Sequence, residues 1–215
     1  MRNPLAVVYD KTIRRHLPRK YRVIAGVAVK DLRLFDRTQE DPEYKAGLVS
    51  AIHDTVNAGD RVEIVGFGMG VSTVHALDAG ADEVTAYEAA AEMIDVGQHT
   101  LWVNRAAESS VNIQHAVVGK PVNVWGDRIA AKQVEPAALS LADVLVLDCE
   151  GAERHILPDL GTLPPVILCE THPGQGAPTD AVVSTLDSRY EVSLREYEPN
   201  SRDDKDVIVA RYTPD

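Results

Sequence analysis

Residues 62–70 read Val62-Glu63-Ile64-Val65-Gly66-Phe67-Gly68-Met69-Gly70, a short apolar run that ends in three alternate glycines. β-Branched residues in so short a run, followed by glycines, are typical of a buried strand in a parallel sheet. Residues 72–77 then have a helical pattern that stops at Ala79-Gly80. Glycines at a strand-to-helix turn let a ligand approach the main chain beside the N–H groups of a helix. The stretch therefore predicts a nucleotide-type binding loop.

The spacing of the glycines distinguishes between two kinds of ligand. A dinucleotide fingerprint has the spacing G-x-G-x-x-G, whereas this loop is G-x-G-x-G and has Val71 where the third glycine would fall. The shorter spacing favours S-adenosylmethionine over NAD. Plain tight turns also contain several glycines, so the loop by itself leaves a purely structural role open.

Length and composition limit the class of protein. The chain has 215 residues, of which 45% are hydrophobic, enough for one α/β domain with one or two additions. We expect residues 1–60 to form an N-terminal extension, a hairpin and a helix, and residues 61–215 to form the main domain. No run approaches the roughly 20 apolar residues of a membrane span, and the N-terminus lacks the apolar core of a signal peptide. We therefore expect a cytoplasmic protein with no membrane partner.

The charge balance bears on partners. Acidic residues number 33 against 22 basic ones, and the net charge is −11. Such a charge opposes non-specific binding to nucleic acid, so we expect no nucleic-acid partner. An acidic surface suits a halophilic protein in a salt-rich cytoplasm and an ordinary acidic enzyme equally well, and the habitat stays open.

Elements before and after the loop complete an α/β pattern. Residues 22–29 and 32–35 read as a hairpin with its turn at Lys30-Asp31, and Asp41-Pro42 reads as the start of a helix that ends at residues 57–59. The segment 120–140 reads as a crossover. Near the end of the chain, residues 190–194 and 207–210 read as two antiparallel strands joined by the loop 198–206.

The next two predicted strands supply candidate cofactor contacts. Residues 83–88 form the second parallel strand and end in Glu88, 18 residues after Gly70. A carboxylate at this position hydrogen-bonds both ribose hydroxyls of a nucleotide. The third strand, residues 111–119, should pass near the adenine. His115 on this strand is either an adenine contact or a structural histidine, and both interpretations stay open.

Acidic residues follow the fourth predicted strand, in the stretch 142–153. Open α/β sheets bind their ligands at this edge, where Asp148 and Glu150 would point the same way. Such carboxylates can orient the amino group of a cofactor, take a substrate proton or hold a divalent ion. Glu153 could instead cap the helix that follows.

The fifth strand, within residues 166–173, ends in Glu170 and is followed by His172. Imidazole can accept a proton near neutral pH, and this edge faces the same cleft. His172 is therefore the best single candidate for a general base, although a plain loop histidine is the alternative.

Two motifs give the chain a resemblance to a known family. Asp148-Cys149-Glu150-Gly151-Ala152-Glu153 resembles the D-x-E-G-x-E signature of the FkbM-type methyltransferases, and Glu170-Thr171-His172-Pro173 resembles their E-x-H-P. Tyr87-Glu88 and Asn104 also fall where that family has its ribose acid and helix-ending Asn. The resemblance covers roughly residues 44–195. The chain departs from the family pattern at Ile64, where an acid is usual and Glu63 is displaced by one residue, and at Gly68 and Ala89, where Asn and Pro are common.

The resemblance implies a class I S-adenosylmethionine-dependent methyltransferase. Its fold would be α/β, a Rossmann-like doubly wound sheet of seven strands with the last strand antiparallel and the small N-terminal addition. The implied reaction is O-methylation of a small molecule or glycan hydroxyl, with S-adenosylhomocysteine as product. A non-catalytic cofactor-binding module and, less favoured, an NAD-linked oxidoreductase are the alternatives, and a homodimer stays open.

The expected site has two sets of residues. The catalytic residues are His172 and Asp148. No metal ligand is assigned, because a divalent ion held by Asp148 and Glu150 is less favoured than a metal-free site. The expected cofactor-binding residues are Gly66, Phe67, Gly68, Gly70, Glu88, Ala89, His115, Ala116, Asp148 and Glu150.

Overall fold

The computed structural model of the chain describes residues 12–38, 40–120, 130–139, 142–198 and 204–214. A two-stranded hairpin precedes an eight-stranded sheet that has helices on both faces. The hairpin consists of β1 (Arg19–Ile24) and β2 (Val27–Arg33). The sheet consists of β3 (Arg61–Val65), β4 (Glu83–Glu88), β5 (Val111–Val118), β6 (Lys132–Val134), β7 (Val144–Leu147), β8 (Val166–Glu170), β9 (Tyr190–Glu196) and β10 (Asp206–Tyr212). The helices are α1 (Ala46–Thr55), α2 (Val71–Ala79), α3 (Ala91–Val103), α4 (Glu153–Ile156) and α5 (Thr179–Val183).

The strand order is β6-β5-β4-β3-β7-β8-β10-β9, and β10 is antiparallel to both of its neighbours. All other neighbouring pairs are parallel. The predicted α/β doubly wound sheet with a terminal antiparallel strand is therefore confirmed. The sheet has one strand more than predicted, because β6 lies inside the segment interpreted as a crossover. β6 has only three residues, too few for a recognisable period, and residues 121–129 of that segment lie outside the described residues. Residues 199–203 of the predicted loop between β9 and β10 also lie outside them.

The core has one layer on each face of the sheet. The hairpin and helices α1, α2 and α3 share one apolar cluster with residues such as Ile64 and Val146, whereas α4 and α5 cover Leu145 and Ile167 on the other face. Strands β7 and β8 are buried on both faces, which explains why their sequences are continuous apolar runs. Within the described part of the chain, no helix combines the length and the apolar character needed to cross a bilayer.

The hairpin is present, but its predicted turn was wrong. The strands are joined at Ala25-Gly26 rather than at Lys30-Asp31, and the φ angles of Ala25 and Gly26 are 46° and 78°. Two consecutive residues with positive φ form the tight turn that suits the twist of a two-stranded hairpin. An apolar run, residues 23–29, continues across this turn, so the pattern alone misplaced it.

Helix α1 begins at Ala46, later than the predicted start at Asp41-Pro42. The N–H of Asp41 donates to the Val23 carbonyl at 3.1 Å, and its own carbonyl accepts from the Ala25 N–H at 2.8 Å. These bonds hold residue 41 extended beside β1 and delay the helix by one turn. Lys45, the residue before the helix, has a left-handed conformation with φ 49°.

Glu63 lies in the middle of β3 and is half-buried. Its Oε1 lies 3.5 Å from the hydroxyl of Tyr87, and its Oε2 has no hydrogen bond to any described residue. Burial disfavours the charged carboxylate and raises the pKa of Glu63 to about 7.

The raised pKa of Glu63 predicts a pH-dependent contribution to stability. The folded protein holds the proton of Glu63 more tightly than the unfolded chain does, so protonation of this acid stabilises the fold. The contribution is complete below pH 4.5, the ordinary pKa of the group, and is lost as the pH rises through about 7. We expect Glu63→Gln to remove this loss, so that the free energy of unfolding in urea falls less between pH 5 and pH 8 than in the wild type. The exposed Glu83→Gln is the control and should keep the wild-type slope. Parallel pH profiles for wild type and Glu63→Gln would contradict the assignment.

Candidate active site

A cavity of about 380 Å³ opens at the carboxyl ends of β3, β4, β5 and β7. This is the edge at which open α/β sheets bind ligands. The glycine loop forms one wall, and the start of the segment after β7 forms the opposite one. The lining residues are Tyr44, Lys45, Val65, Gly66, Phe67, Gly68, Met69, Val71, Ser72, Tyr87, Glu88, Ala89, Met93, Ala116, Val117, Val118, Lys120, Asp148, Cys149, Glu150 and Ala152.

The glycine loop is in direct backbone contact with the acidic segment. Gly66 has φ 99°, and a Cβ atom at this position would lie 1.8 Å from the carbonyl oxygen of Asp148. The N–H groups of Gly66 and Phe67 both donate to the Tyr87 carbonyl at 3.0 Å, which fixes the direction in which the chain leaves β3. Position 66 therefore requires glycine for two reasons: its φ angle is positive, and there is no space for a Cβ atom.

Glu88 connects the loop to the next helix. Its Oε2 accepts the N–H of Gly68 and its Oε1 accepts the N–H of Ala90, both at 2.8 Å. Ala90 is the residue before α3, so the carboxylate interacts with the positive end of that helix. The carboxylate is thereby held in one orientation at the cavity wall.

A buried charge cluster lies at the other end of the cavity. The ammonium of Lys45 contacts Asp148 Oδ2 and lies 3.0 Å from Glu170 Oε2, and the ammonium of Lys205 lies 2.7 Å from Glu170 Oε1. Burial lowers the pKa of Lys45, but Asp148 and Glu170 outweigh it and raise that pKa well above the usual value. Burial raises the pKa of Glu170, but Lys45, His172 and Lys205 outweigh it and lower that pKa. For Asp148, burial and Glu170 together raise the pKa to about 6 although Lys45 opposes them.

His172 lies behind this cluster and is 0% exposed. Its Nδ1 is 3.0 Å from Glu153 Oε1, and its Nε2 is 3.3 Å from Glu170 Oε1 and 3.9 Å from Asp148 Oδ1. Burial favours the neutral ring, but Glu153 and Glu170 outweigh it and raise the pKa of His172 to about 9. His172 does not line the cavity, and its predicted role as a general base stays a prediction.

Glu153 is also 0% exposed, and its second oxygen accepts the N–H of Gly151 at 2.9 Å. It therefore supports the turn before α4 as well as His172.

The structure brings most of the predicted cofactor residues to one cavity. Eight of the ten line it: Gly66, Phe67, Gly68, Glu88, Ala89, Ala116, Asp148 and Glu150. Gly70 instead precedes α2 with φ 80°, and His115 Nε2 lies 3.1 Å from the Ala89 carbonyl. Neither residue lines the cavity. Both support its wall, which is the structural interpretation left open for His115.

Sequence reasoning missed the residues that the N-terminal part contributes. Tyr44 and Lys45 line the cavity, and Lys45 is 103 positions away from its partner Asp148. No local pattern identifies a lysine that reaches a distant strand end. The displaced acid Glu63 does not line the cavity, so it does not replace the acid that the family has at position 64.

We expect Gly66→Ala to destabilise the protein by more than about 3 kcal/mol, because the added methyl group overlaps a backbone carbonyl. Gly68→Ala is the matched control, since nothing lies within 4 Å of its added Cβ. Its cost should be about 1 kcal/mol, from the left-handed backbone alone. Chemical denaturation of both variants measures the difference, and equal costs would mean that the backbones of residues 66 and 148 are farther apart.

Removing the ammonium of Lys45 leaves two carboxylates close together without their shared partner. We expect Lys45→Met to lower the free energy of unfolding by about 3–5 kcal/mol at neutral pH. Lys205→Met should cost less, about 1 kcal/mol, because among the described residues Lys205 pairs with one acid, Glu170, and its side chain is 22% exposed. Urea unfolding compares the two, and a larger loss for Lys205→Met would reverse this ranking.

Comparisons with known proteins give the fold but not a close relative. No protein-family model matches the sequence, and no curated protein matches it. Among solved structures, a ribosomal protein L11 methylase from Lactobacillus delbrueckii subsp. bulgaricus is similar, with TM-score 0.56, 12% identity, 90% of this chain covered and 94% of that chain. A precorrin-6y C5,15-methyltransferase from Geobacter metallireducens GS-15 has TM-score 0.52 and 13% identity, with 81% of this chain and 89% of that chain covered.

A third similar structure contains the product of methyl transfer. It is the tRNA (uracil-54, C5)-methyltransferase of Pyrococcus abyssi in complex with S-adenosyl-L-homocysteine, with TM-score 0.55, 14% identity, 91% of this chain covered and 44% of that chain. The chain thus has a fold found in S-adenosylmethionine-dependent methyltransferases, and identities this low show the fold alone. The three structures are named for a ribosomal protein, a precorrin and a tRNA, so the expectation that nucleic acid is not a partner gains no support. The FkbM-type resemblance is not confirmed by these likenesses.

Proposed function

We propose that the protein transfers the methyl group of S-adenosylmethionine to an oxygen nucleophile of a small molecule or glycan. The observation that carries the proposal is the arrangement of one cavity. At one end lies the glycine loop, whose Gly68 N–H donates to the Glu88 carboxylate, and at the other end lies the buried charge cluster. The fold shared with methyltransferases and the two FkbM-type motifs support the same reaction.

The cofactor residues keep their predicted roles as part of this proposal. Glu88 would accept the ribose hydroxyls, since each carboxylate oxygen has a second lone pair beyond its bond to a backbone N–H. Ala89 and Ala116 would lie beside the adenine, where small side chains leave room for a ring. Asp148 and Glu150 would lie near the amino-acid end of the donor.

The task of the protein is then mainly alignment. A lone pair of the acceptor oxygen attacks the methyl carbon, a C–O bond forms, and the C–S bond breaks with its electron pair going to sulfur. The reaction needs the acceptor oxygen about 3 Å from the methyl carbon, opposite the sulfur and shielded from water. Asp148 lines the cavity and is the proposed acceptor of the hydroxyl proton, whereas His172 would act by holding the acids in place.

The cofactor claim is tested by calorimetric titration with S-adenosylmethionine, S-adenosylhomocysteine and NAD. We expect both sulfur ligands to bind and NAD not to bind. Binding of NAD without either sulfur ligand would replace the methyltransferase proposal with the oxidoreductase alternative. Binding of the sulfur ligands without methyl incorporation into any metabolite, glycan, protein or RNA pool would favour the non-catalytic module.

Glu88→Ala tests the placement of the ribose. We expect it to weaken the binding of S-adenosylhomocysteine at least tenfold, because the ribose loses its acceptor and the glycine loop loses its brace. Glu92→Ala, an exposed acid in the first turn of α3, is the matched control and should leave the affinity unchanged. Thermal melting of both variants separates loss of affinity from loss of fold. An unchanged dissociation constant in Glu88→Ala would mean that the ribose lies elsewhere.

A further inference from the structure

Three side chains beside the cavity converge on one point. One ligand atom each of Asp148, Glu170 and His172 lies within 4.8 Å of the other two. Asp148 and Glu170 follow or end the neighbouring parallel strands β7 and β8, so their positions are fixed by the sheet. We propose that these three side chains form a site for a divalent cation of the Mn²⁺ type, an inference that deepens the proposed methyl transfer and rests on it.

The orientation of His172 points to a ligand. Its Nδ1 is engaged by Glu153, and its Nε2, on the opposite side of the ring, faces Glu170 and Asp148. Nε2 is fully buried and makes no hydrogen bond of acceptable geometry to any described residue. A carboxylate on one ring nitrogen, with the other nitrogen directed at a shared point, is the usual arrangement of histidines that bind metal ions. Binding of the ion at Nε2 would release the proton that the ring carries in the metal-free protein, because a metal ligand needs the free lone pair. Glu153 is itself fixed by the N–H of Gly151 at 2.9 Å, so the ring is held from behind.

The spacing and the types of ligand suit such an ion. Two neighbouring ligands that are each about 2.1 Å from a metal are about 3 Å apart. Nε2 lies 3.3 Å and 3.9 Å from the nearest oxygens of Glu170 and Asp148, so small side-chain movements would complete the set. Carboxylates favour Mg²⁺ and Mn²⁺, and an added imidazole favours the latter. This set differs from the pair Asp148 and Glu150 suggested by the sequence alone.

A cation is already bound by these carboxylates, namely the ammonium of Lys45, which contacts both Asp148 and Glu170. Lys45 has a long flexible stem, and its backbone is in a sparsely populated conformation at φ 49°, the kind of strain that clusters at functional sites. A divalent ion and this ammonium would compete for the same two carboxylates through different oxygens. Lys45 contacts Asp148 Oδ2 and Glu170 Oε2, whereas Nε2 of His172 faces Oδ1 and Oε1. The ion would also share Glu170 Oε1 with the ammonium of Lys205. We infer an exchange in which the metal ion displaces the Lys45 side chain toward the cavity.

The exchange would place a divalent ion beside the acceptor hydroxyl of the proposed reaction. His172 is too deeply buried to reach an acceptor, but Asp148 lines the cavity, so an ion bound to it lies beside the acceptor. A divalent ion there would orient the acceptor hydroxyl and lower its pKa, and the oxygen of Asp148 that does not bind the ion would accept the proton.

Titration of Mn²⁺ into untagged, metal-free protein, followed by electron paramagnetic resonance, tests the site. We expect one Mn²⁺ per chain, binding at least tenfold weaker in His172→Gln, and binding about tenfold tighter in Lys45→Met because the competing ammonium is gone. Glu92→Gln, at an exposed acid in the first turn of α3, is the control and should bind like wild type. Electron spin-echo spectroscopy of the wild type should show coupling of Mn²⁺ to an imidazole nitrogen, a readout that needs no variant to fold.

Several results would overturn the site: no Mn²⁺ binding by the wild type, equal affinity in His172→Gln, equal loss in Glu92→Gln, or a spectrum without nitrogen coupling. Binding that occurs only in Lys45→Met would show that Lys45 is the permanent cation, and affinity unchanged by Lys45→Met would refute the exchange. Calorimetry of S-adenosylhomocysteine with the same metal-free protein keeps the two proposals apart. Binding of this ligand without binding of Mn²⁺ would refute the metal site alone. No binding of the ligand would refute the proposed function itself.

Discussion

The backbones of β3 and β7 approach so closely where they end that position 66 has no room for a side chain. The contact joins the glycine loop to the carbonyl of Asp148, and the N–H of Asp148 in turn donates to the Val65 carbonyl at 2.9 Å. The chain must therefore turn sharply after β3, and the acid must lie beside the turn. Packed backbones deform little, so this contact sets the distance between the loop and the charge cluster.

Stability does not explain the charge cluster at the end of that cavity. The cluster combines Asp148 and Glu170 with two lysines, His172 and Glu153 lie behind it, and most of these groups are removed from water. Replacing buried ion pairs by apolar residues is often neutral or stabilising, because desolvation offsets the attraction between the charges. Fixed charges in a water-poor site are, however, effective where charge moves during a reaction, since they need no reorganisation. The position of the cluster beside the cavity agrees with such a role.

The sequence predicted correctly those elements that are determined by residues close together in the chain. Continuous apolar runs identified β7 and β8, and the glycines with Glu88 identified the loop and its partner strand. The sequence did not predict features that depend on contacts between residues far apart in the chain. The burial of His172 depends on Glu153 and Glu170, and no period in the sequence shows whether a residue after a strand faces the cavity or lies behind it. Lys45 enters the site because its backbone N–H binds Glu198 and the next turn of chain packs on Tyr197, both far along the chain.

The charge of the cavity bears on the kind of acceptor. Glu88, Asp148 and Glu150 line it against Lys45 and Lys120, and the ammonium of Lys45 is already paired. A polyanionic acceptor needs compensating positive charge, whereas a neutral hydroxyl brings none into the cavity. The donor carries a positive sulfonium that becomes a neutral thioether on transfer. Under the proposed methyl transfer, an acidic lining would attract the donor more than the product and would favour replacement of S-adenosylhomocysteine by fresh donor.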